Sequence, residues 1–135
     1  MGVASDLSGI TVMVVDDDAD NAEVFATFLE SCGASVVVTH SGIEALARLD
    51  EVLTIDILLT DLSMPKIDGI QLVRSVRAHS VHGSLPAIAV SGYPEKFFAD
   101  DAPQFTTFML KPVELDALAA EVRRLVLASA RGLRS

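Results

Sequence analysis

Apolar residues follow two rhythms along this chain. Short continuous runs, mostly rich in β-branched residues, occupy residues 10–15 (ITVMVV), 35–39 (SVVVT), 55–60 (IDILLT), 86–90 (PAIAV) and 105–110 (FTTFML). Runs of this length without steady polar alternation fit strands covered on both faces. Between them, apolar residues recur at three- and four-residue steps, the period of a half-buried helix. Val24, Phe25, Phe28, Leu29 and Cys32 mark the first helix, with Asp20 as its expected cap and Gly33 as its end. Ile43, Leu46, Ala47 and Leu49 are expected to form the apolar side of a second, with Ser41 as cap and Glu44 as capping-box partner. After the turn signals Pro65 and Asp68-Gly69, Ile70, Val73, Val76 and Arg77 mark a third. Leu115, Leu118, Ala119, Val122, Leu125 and Val126 line the last. Residues 94–103, bracketed by Pro94 and Pro103, read as a loop or a short helix.

Strands alternating with helices predict an α/β chain: a doubly wound, five-stranded parallel sheet with helices on both faces. The expected domain covers residues 10–128, with residues 1–9 and 129–135 as flanking tails. In such sheets ligands sit beyond the carboxyl ends of the strands, where the strand order reverses. Those ends carry Asp16, Asp17 and Asp18 after the first strand, Asp61 after the third, Ser91 after the fourth and Lys111 after the fifth.

Composition narrows the function. The 135 residues are half apolar, enough for one domain's core. Nineteen acidic against ten basic residues give a net charge of −9, which disfavours direct nucleic-acid binding. The single cysteine, Cys32, excludes an internal disulfide and is expected to be a small core residue. There is no apolar run of the roughly 18 residues a membrane span needs, and the start lacks the pattern of a signal peptide. A soluble, cytoplasmic protein of a reducing compartment is expected.

The strand-end residues carry a specific chemistry. Two unit charges about 4 Å apart repel by about 4 kcal/mol at an effective dielectric near 20. Lys111 alone does not neutralise three converging carboxylates, so a hard divalent cation such as Mg²⁺ is expected among them. Zinc is not suited: there is one cysteine, and His40, His79 and His82 are expected in solvent-facing loops without a role. Asp18 and Asp20 read as helix caps or solvated groups. A metal, an ammonium and the Ser91 hydroxyl around Asp61 would hold a transferring phosphoryl group, with Asp61 as its nucleophile.

Four motifs in order carry a resemblance: VVDD at 14–17, LLTDLSMPKIDG at 58–69, VSG at 90–92 and LKP at 110–112. The chain resembles a response-regulator receiver domain of two-component signalling over residues 11–127. The resemblance implies a flavodoxin-like strand order 2-1-3-4-5, an order the doubly wound fold is already known for in a chemotaxis receiver. It implies Asp61 as phosphoacceptor; Mg²⁺ held by Asp16, Asp17, Asp61 and the Ser63 backbone carbonyl; Ser91 as switch hydroxyl; and Lys111 on the phosphoryl group. It further implies Phe108 as an aromatic switch acting by packing, and a cis Lys111–Pro112 bond. Ser63 and Tyr93 fall at positions that govern hydrolysis, and Tyr93 is expected to screen the site from water and prolong the phosphoform. The implied donor is a sensor histidine kinase or histidine phosphotransfer protein, and the output an unidentified protein partner. The opening DLSG resembles receivers fused to hybrid kinases; the short basic tail after residue 128 leaves no expected output domain.

Two other readings bear on the same residues. A haloacid-dehalogenase-type phosphatase would use Asp16 and Asp18, but Asp20 stands where that family has threonine or valine. A receiver-like interaction module that is never phosphorylated would not need the full set of acids, hydroxyl and lysine. Nucleotide-binding folds lack support because neither Gly-rich phosphate motif is present.

Overall fold

A computed structural model of the chain describes residues 5–52, 54–79, 81–93 and 104–130. The stretch read as a loop or short helix, 94–103, lies outside the described residues. Elements run β1 (Thr11–Val15), α1 (Ala19–Ser31), β2 (Ser35–Thr39), α2 (Gly42–Glu51), β3 (Ile57–Asp61), α3 (Gly69–Arg77), β4 (Ala87–Ser91), β5 (Thr107–Leu110) and α4 (Leu115–Ala130). All strand pairs are parallel, in the order β2-β1-β3-β4-β5. This is the expected doubly wound sheet.

Strand periodicity sorts the core into two layers. Val12 and Val14 face one side with Ile57, Leu59, Ile88 and Val90, under α1 and α4. Met13 and Val15 face the other with Leu58, Ala87 and Ala89, under α2 and α3. β3 and β4 are buried along their whole length, which is why their sequences lack polar alternation. Each fully buried aliphatic side chain contributes about 1.5–3 kcal/mol of transfer free energy.

Local chemistry sets the helix ends. α1 is capped by Asp18, not Asp20: the Asp18 carboxylate accepts from the Asp20 and Asn21 amides. Asp18 is the extended residue from which a side chain reaches those amides, so the helix starts earlier than expected. At the other end Gly33 takes φ +103°. Its amide donates to Glu30 O, and that of Ala34 to Leu29 O, which ties off two terminal carbonyls. Ser41 caps α2 through the Glu44 amide, but Glu44 Oε1 accepts from His40 N, one residue before the cap. Asp68 and Gln71 form a complete capping box on α3.

The apolar side of α2 differs from the expected one. Ala45 and Leu49 are buried and Leu46 packs at the margin, while Ala47 is exposed and Ile43 is 54% exposed. Gly42, Ala45 and Leu49 lie at three- and four-residue steps, so that side of the helix faces the sheet and Ile43 turns outward. Val24 of α1 is likewise exposed.

The histidines also depart from expectation. His82 is buried, and its Nε2 lies 3.2 Å from Leu49 O and 3.1 Å from Val52 O. Two acceptors at one nitrogen fix it as the protonated one. The ring thereby satisfies carbonyls that the end of α2 leaves open. His79 is half-buried: Nε2 lies 3.0 Å from Asp50 Oδ1, and Nδ1 accepts the amides of Val81 and His82. Cys32 is buried in the α1–α4 layer, as expected. Leu7, in the expected flanking tail, is fully buried in the same layer, and its amide donates to Cys32 O.

Gly69 permits the turn that returns the chain from β3 to α3. A Cβ there would stand 2.4 Å from Asp61 O and 2.9 Å from Leu62 Cα, both backbone atoms. Gly69→Ala is expected to destabilise the fold by about 3 kcal/mol in urea titration. Gly92→Ala, where a Cβ meets nothing within 4 Å, is expected to be neutral. Equal effects of the two would contradict this packing.

Candidate functional site

The carboxyl ends of β1, β3, β4 and β5 bring the site residues together. Asp16 and Asp17 follow β1, and the Asp16 amide donates to Thr39 O at the end of β2. Asp61 is the last residue of β3, paired with Val90, and Ser91 is the last of β4, paired with Leu110. Both were expected just past their strands; the ladder instead includes them and fixes their backbones. Lys111 follows β5, its amide donating to Ser91 O, and the Lys111–Pro112 peptide is cis.

Asp16, Asp17 and Asp61 each offer a carboxylate oxygen, and these oxygens all lie within 4.8 Å of one another. Asp16 and Asp61 are buried, whereas Asp17 is exposed. Lys111 Nζ stands 3.2 Å from Asp61 Oδ2. The other oxygen of Asp61, Oδ1, accepts the Ser63 amide at 3.1 Å. Ser91 Oγ accepts the Tyr93 amide at 3.0 Å, and its own proton reaches only the Tyr93 carbonyl, at 3.4 Å. That second contact is long for a hydroxyl donor and easily exchanged.

Burial raises the Asp16 carboxyl above its ordinary range, and the negative charge of Asp61 adds to that. The Asp18 amide on Asp16 Oδ1, at 2.9 Å, works against it. Three carboxylates with one ammonium leave the cluster short of positive charge. An all-oxygen donor set of this kind matches a hard divalent cation. No other such cluster of acidic, histidine or cysteine side chains occurs among the described residues.

Asp18 is not part of the cluster. Its carboxylate is committed to the α1 cap, so Asp16 and Asp18 do not form an acid pair. Asp20 is exposed in the first turn of α1. Phe108 lies on β5, partly buried, with its ring 5.8 Å from that of Phe105 in an edge contact. Tyr93 is 57% exposed. Sequence reasoning overlooked His40, whose Nδ1 lies 3.2 Å from the Asp16 carbonyl. Its place at the end of β2, beside β1, was the available sign.

Among the described residues no helix is long and apolar enough to cross a membrane. The family model described as "Response regulator receiver domain" matches residues 12–123. Response regulator receiver protein CpdR of Brucella abortus is 30% identical over 120 residues, covering 87% of this chain and 98% of that protein. Sensor kinase CckA of the same species is 36% identical over 127 residues, which is 91% of this chain but 13% of the kinase. The crystal structure of a response regulator receiver protein from Pseudomonas putida is 34% identical, with a TM-score of 0.77 over 90% of this chain and 98% of that one.

The raised Asp16 carboxyl has a signed consequence. The folded chain holds that proton more tightly than the unfolded chain, so stability falls as pH rises from the unfolded value through the folded one. Above that folded value the penalty is complete. Asp16→Asn removes it while keeping an acceptor for the Asp18 amide. In metal-free buffer at neutral pH the variant is expected to melt higher, by about 4 °C for each kcal/mol relieved. The gain should vanish in acid. A midpoint at or below that of the parent at neutral pH would contradict it.

Proposed function

This chain belongs to the response regulator receiver family of two-component systems, and from that premise we propose that Asp61 accepts a phosphoryl group from a phosphohistidine. The observation that carries this reading is the place of the Asp61 carboxylate, between the Lys111 ammonium at 3.2 Å and two further carboxylates. Receivers are signalling modules and not conventional enzymes; this one would assist its own phosphorylation. The unit is taken as residues 10–128 together with Leu7, which the same core buries. The donor is a sensor histidine kinase or a histidine phosphotransfer protein, and the output is a protein partner.

An oxygen of Asp61 attacks phosphorus, the phosphorus–nitrogen bond of the donor breaks, and its imidazole leaves. The Ser63 amide on Asp61 Oδ1 holds the carboxylate plane while this happens. Lys111, already facing Asp61, neutralises charge on the incoming phosphoryl oxygens. The Ser91 hydroxyl gives up its long contact to Tyr93 O and donates to one of those oxygens. Asp16, Asp17, Asp61 and the Ser63 carbonyl would hold Mg²⁺, which supplies charge neutralisation to the acids and the phosphoryl group. The new charge at Asp61 draws Ser91 and Lys111 inward, and the output surface responds through the packing of Phe108 against Phe105.

The test treats the protein with acetyl phosphate and Mg²⁺ and reads intact mass. Addition of one phosphoryl mass is expected, absent from Asp61→Asn and abolished by a chelator. Labelling of Asp61→Asn equal to that of the parent would refute the assignment. Lys111→Ala is expected to slow labelling by at least about tenfold, as loss of a charge-stabilising group does. Tyr93→Ala, by opening the site to water, is expected to shorten the life of the phosphoform; an unchanged decay rate would remove Tyr93 from that role.

A further inference from the structure

The end of β2 grips the end of β1 more extensively than strand pairing requires. Thr39 Oγ1, fully buried, donates to Val14 O at 3.1 Å in addition to the ladder bonds. Thr39 O accepts the Asp16 amide at 3.1 Å. On the far side of that residue, His40 Nδ1 lies 3.2 Å from the Asp16 carbonyl. A carbonyl only accepts, so Nδ1 carries the proton. The Asp16 peptide groups are therefore bracketed on both sides by Thr39 and His40. His40 is itself fastened, since its amide donates to Glu44 Oε1 at 2.8 Å in the first turn of α2.

This bracket acts where β1 has ended and the backbone must hold two adjacent carboxylates toward Asp61. Those like charges repel, and an unsupported loop would relax by turning them apart. From this geometry we propose that His40 is a positioning residue for Asp16 and Asp17: its Nδ1–H fixes the Asp16 carbonyl and so the direction of both acids. His40 is exposed and contributes no core packing, which separates positioning from general stability. The functional consequence rests on the reading of Asp16 and Asp17 as metal ligands; the positioning itself does not.

Asparagine tests the idea, because its amide nitrogen is attached to Cγ as Nδ1 is in histidine. His40→Asn keeps a donor at that place; His40→Leu and His40→Ala remove it. Without metal, amide hydrogen exchange at Asp18, whose N–H is held by Asp16 Oδ1, reports the orientation of the Asp16 carboxylate. With metal, calorimetry gives the Mg²⁺ dissociation constant. The donorless variants are expected to exchange Asp18 faster and bind Mg²⁺ more weakly, each by about five- to tenfold, with His40→Asn within about twofold of the parent. Donorless variants that match the parent in Asp18 exchange overturn the proposal, as does His40→Asn behaving like them. If the parent itself takes up no Mg²⁺, the phosphotransfer reading fails, and the exchange comparison still decides the role of His40.

Discussion

The rest of this structure is arranged around one unfavourable interaction: Asp16, Asp17 and Asp61 share a space only 4.8 Å across their nearest oxygens, with Lys111 as the facing cation. Left to side-chain flexibility, such charges would separate. They stay together because each is attached to the end of a parallel strand, and the strands cannot move apart without opening the core. Asp61 and Ser91 are themselves ladder residues. Strain at the site is therefore balanced by burial elsewhere, chiefly along β3 and β4.

The two layers on either side of the sheet are fastened by polar groups at their margins as well as by apolar packing. Arg77 at the end of α3 donates to the carbonyls of Gly83, Leu85 and Gln104, so one guanidinium ties the segment that enters β4 to the segment that enters β5. His82 does the same for the end of α2. Such groups sit away from the acids and fix the strands that carry them. The contact of His40 with Asp16 belongs to the same pattern, one step closer to the site.

Membership of the receiver family accounts for the site as a whole, and the details of this chain qualify it. The Ser91 hydroxyl is engaged by Tyr93, and Phe108, which has no phenol oxygen, meets Phe105 through an edge contact of its ring. The similarity spans nearly all of a small receiver protein and a small part of a sensor kinase. A module of the same kind thus occurs in both settings.

The order of elements, the two-sided burial of the central strands and the acids, hydroxyl and lysine at the strand ends were legible in the sequence, whereas the edge strands β2 and β5 are only partly buried. Each legible feature depends on local periodicity, or on the rule that parallel sheets bind ligands at their carboxyl ends. Helix faces and caps were legible only in part: Asp18 and not Asp20 caps α1, and Ala45 and not Ile43 faces the core from α2. Those choices turn on angles of about 100° per residue and on which amide a side chain reaches, and neighbouring residues of similar type compete for them. The burial of His82 lay beyond sequence reasoning, and for His40 only its place at the end of β2 was legible, not its hydrogen bond to Asp16. Their contacts join residues thirty or more and twenty-four apart along the chain, and a hydrogen bond between distant segments exists only after the sheet has set their register. Sequence alone determined which chemical groups this protein brings to one end of its sheet. Tertiary structure decided how firmly they are held, because that depends on distances no local pattern encodes.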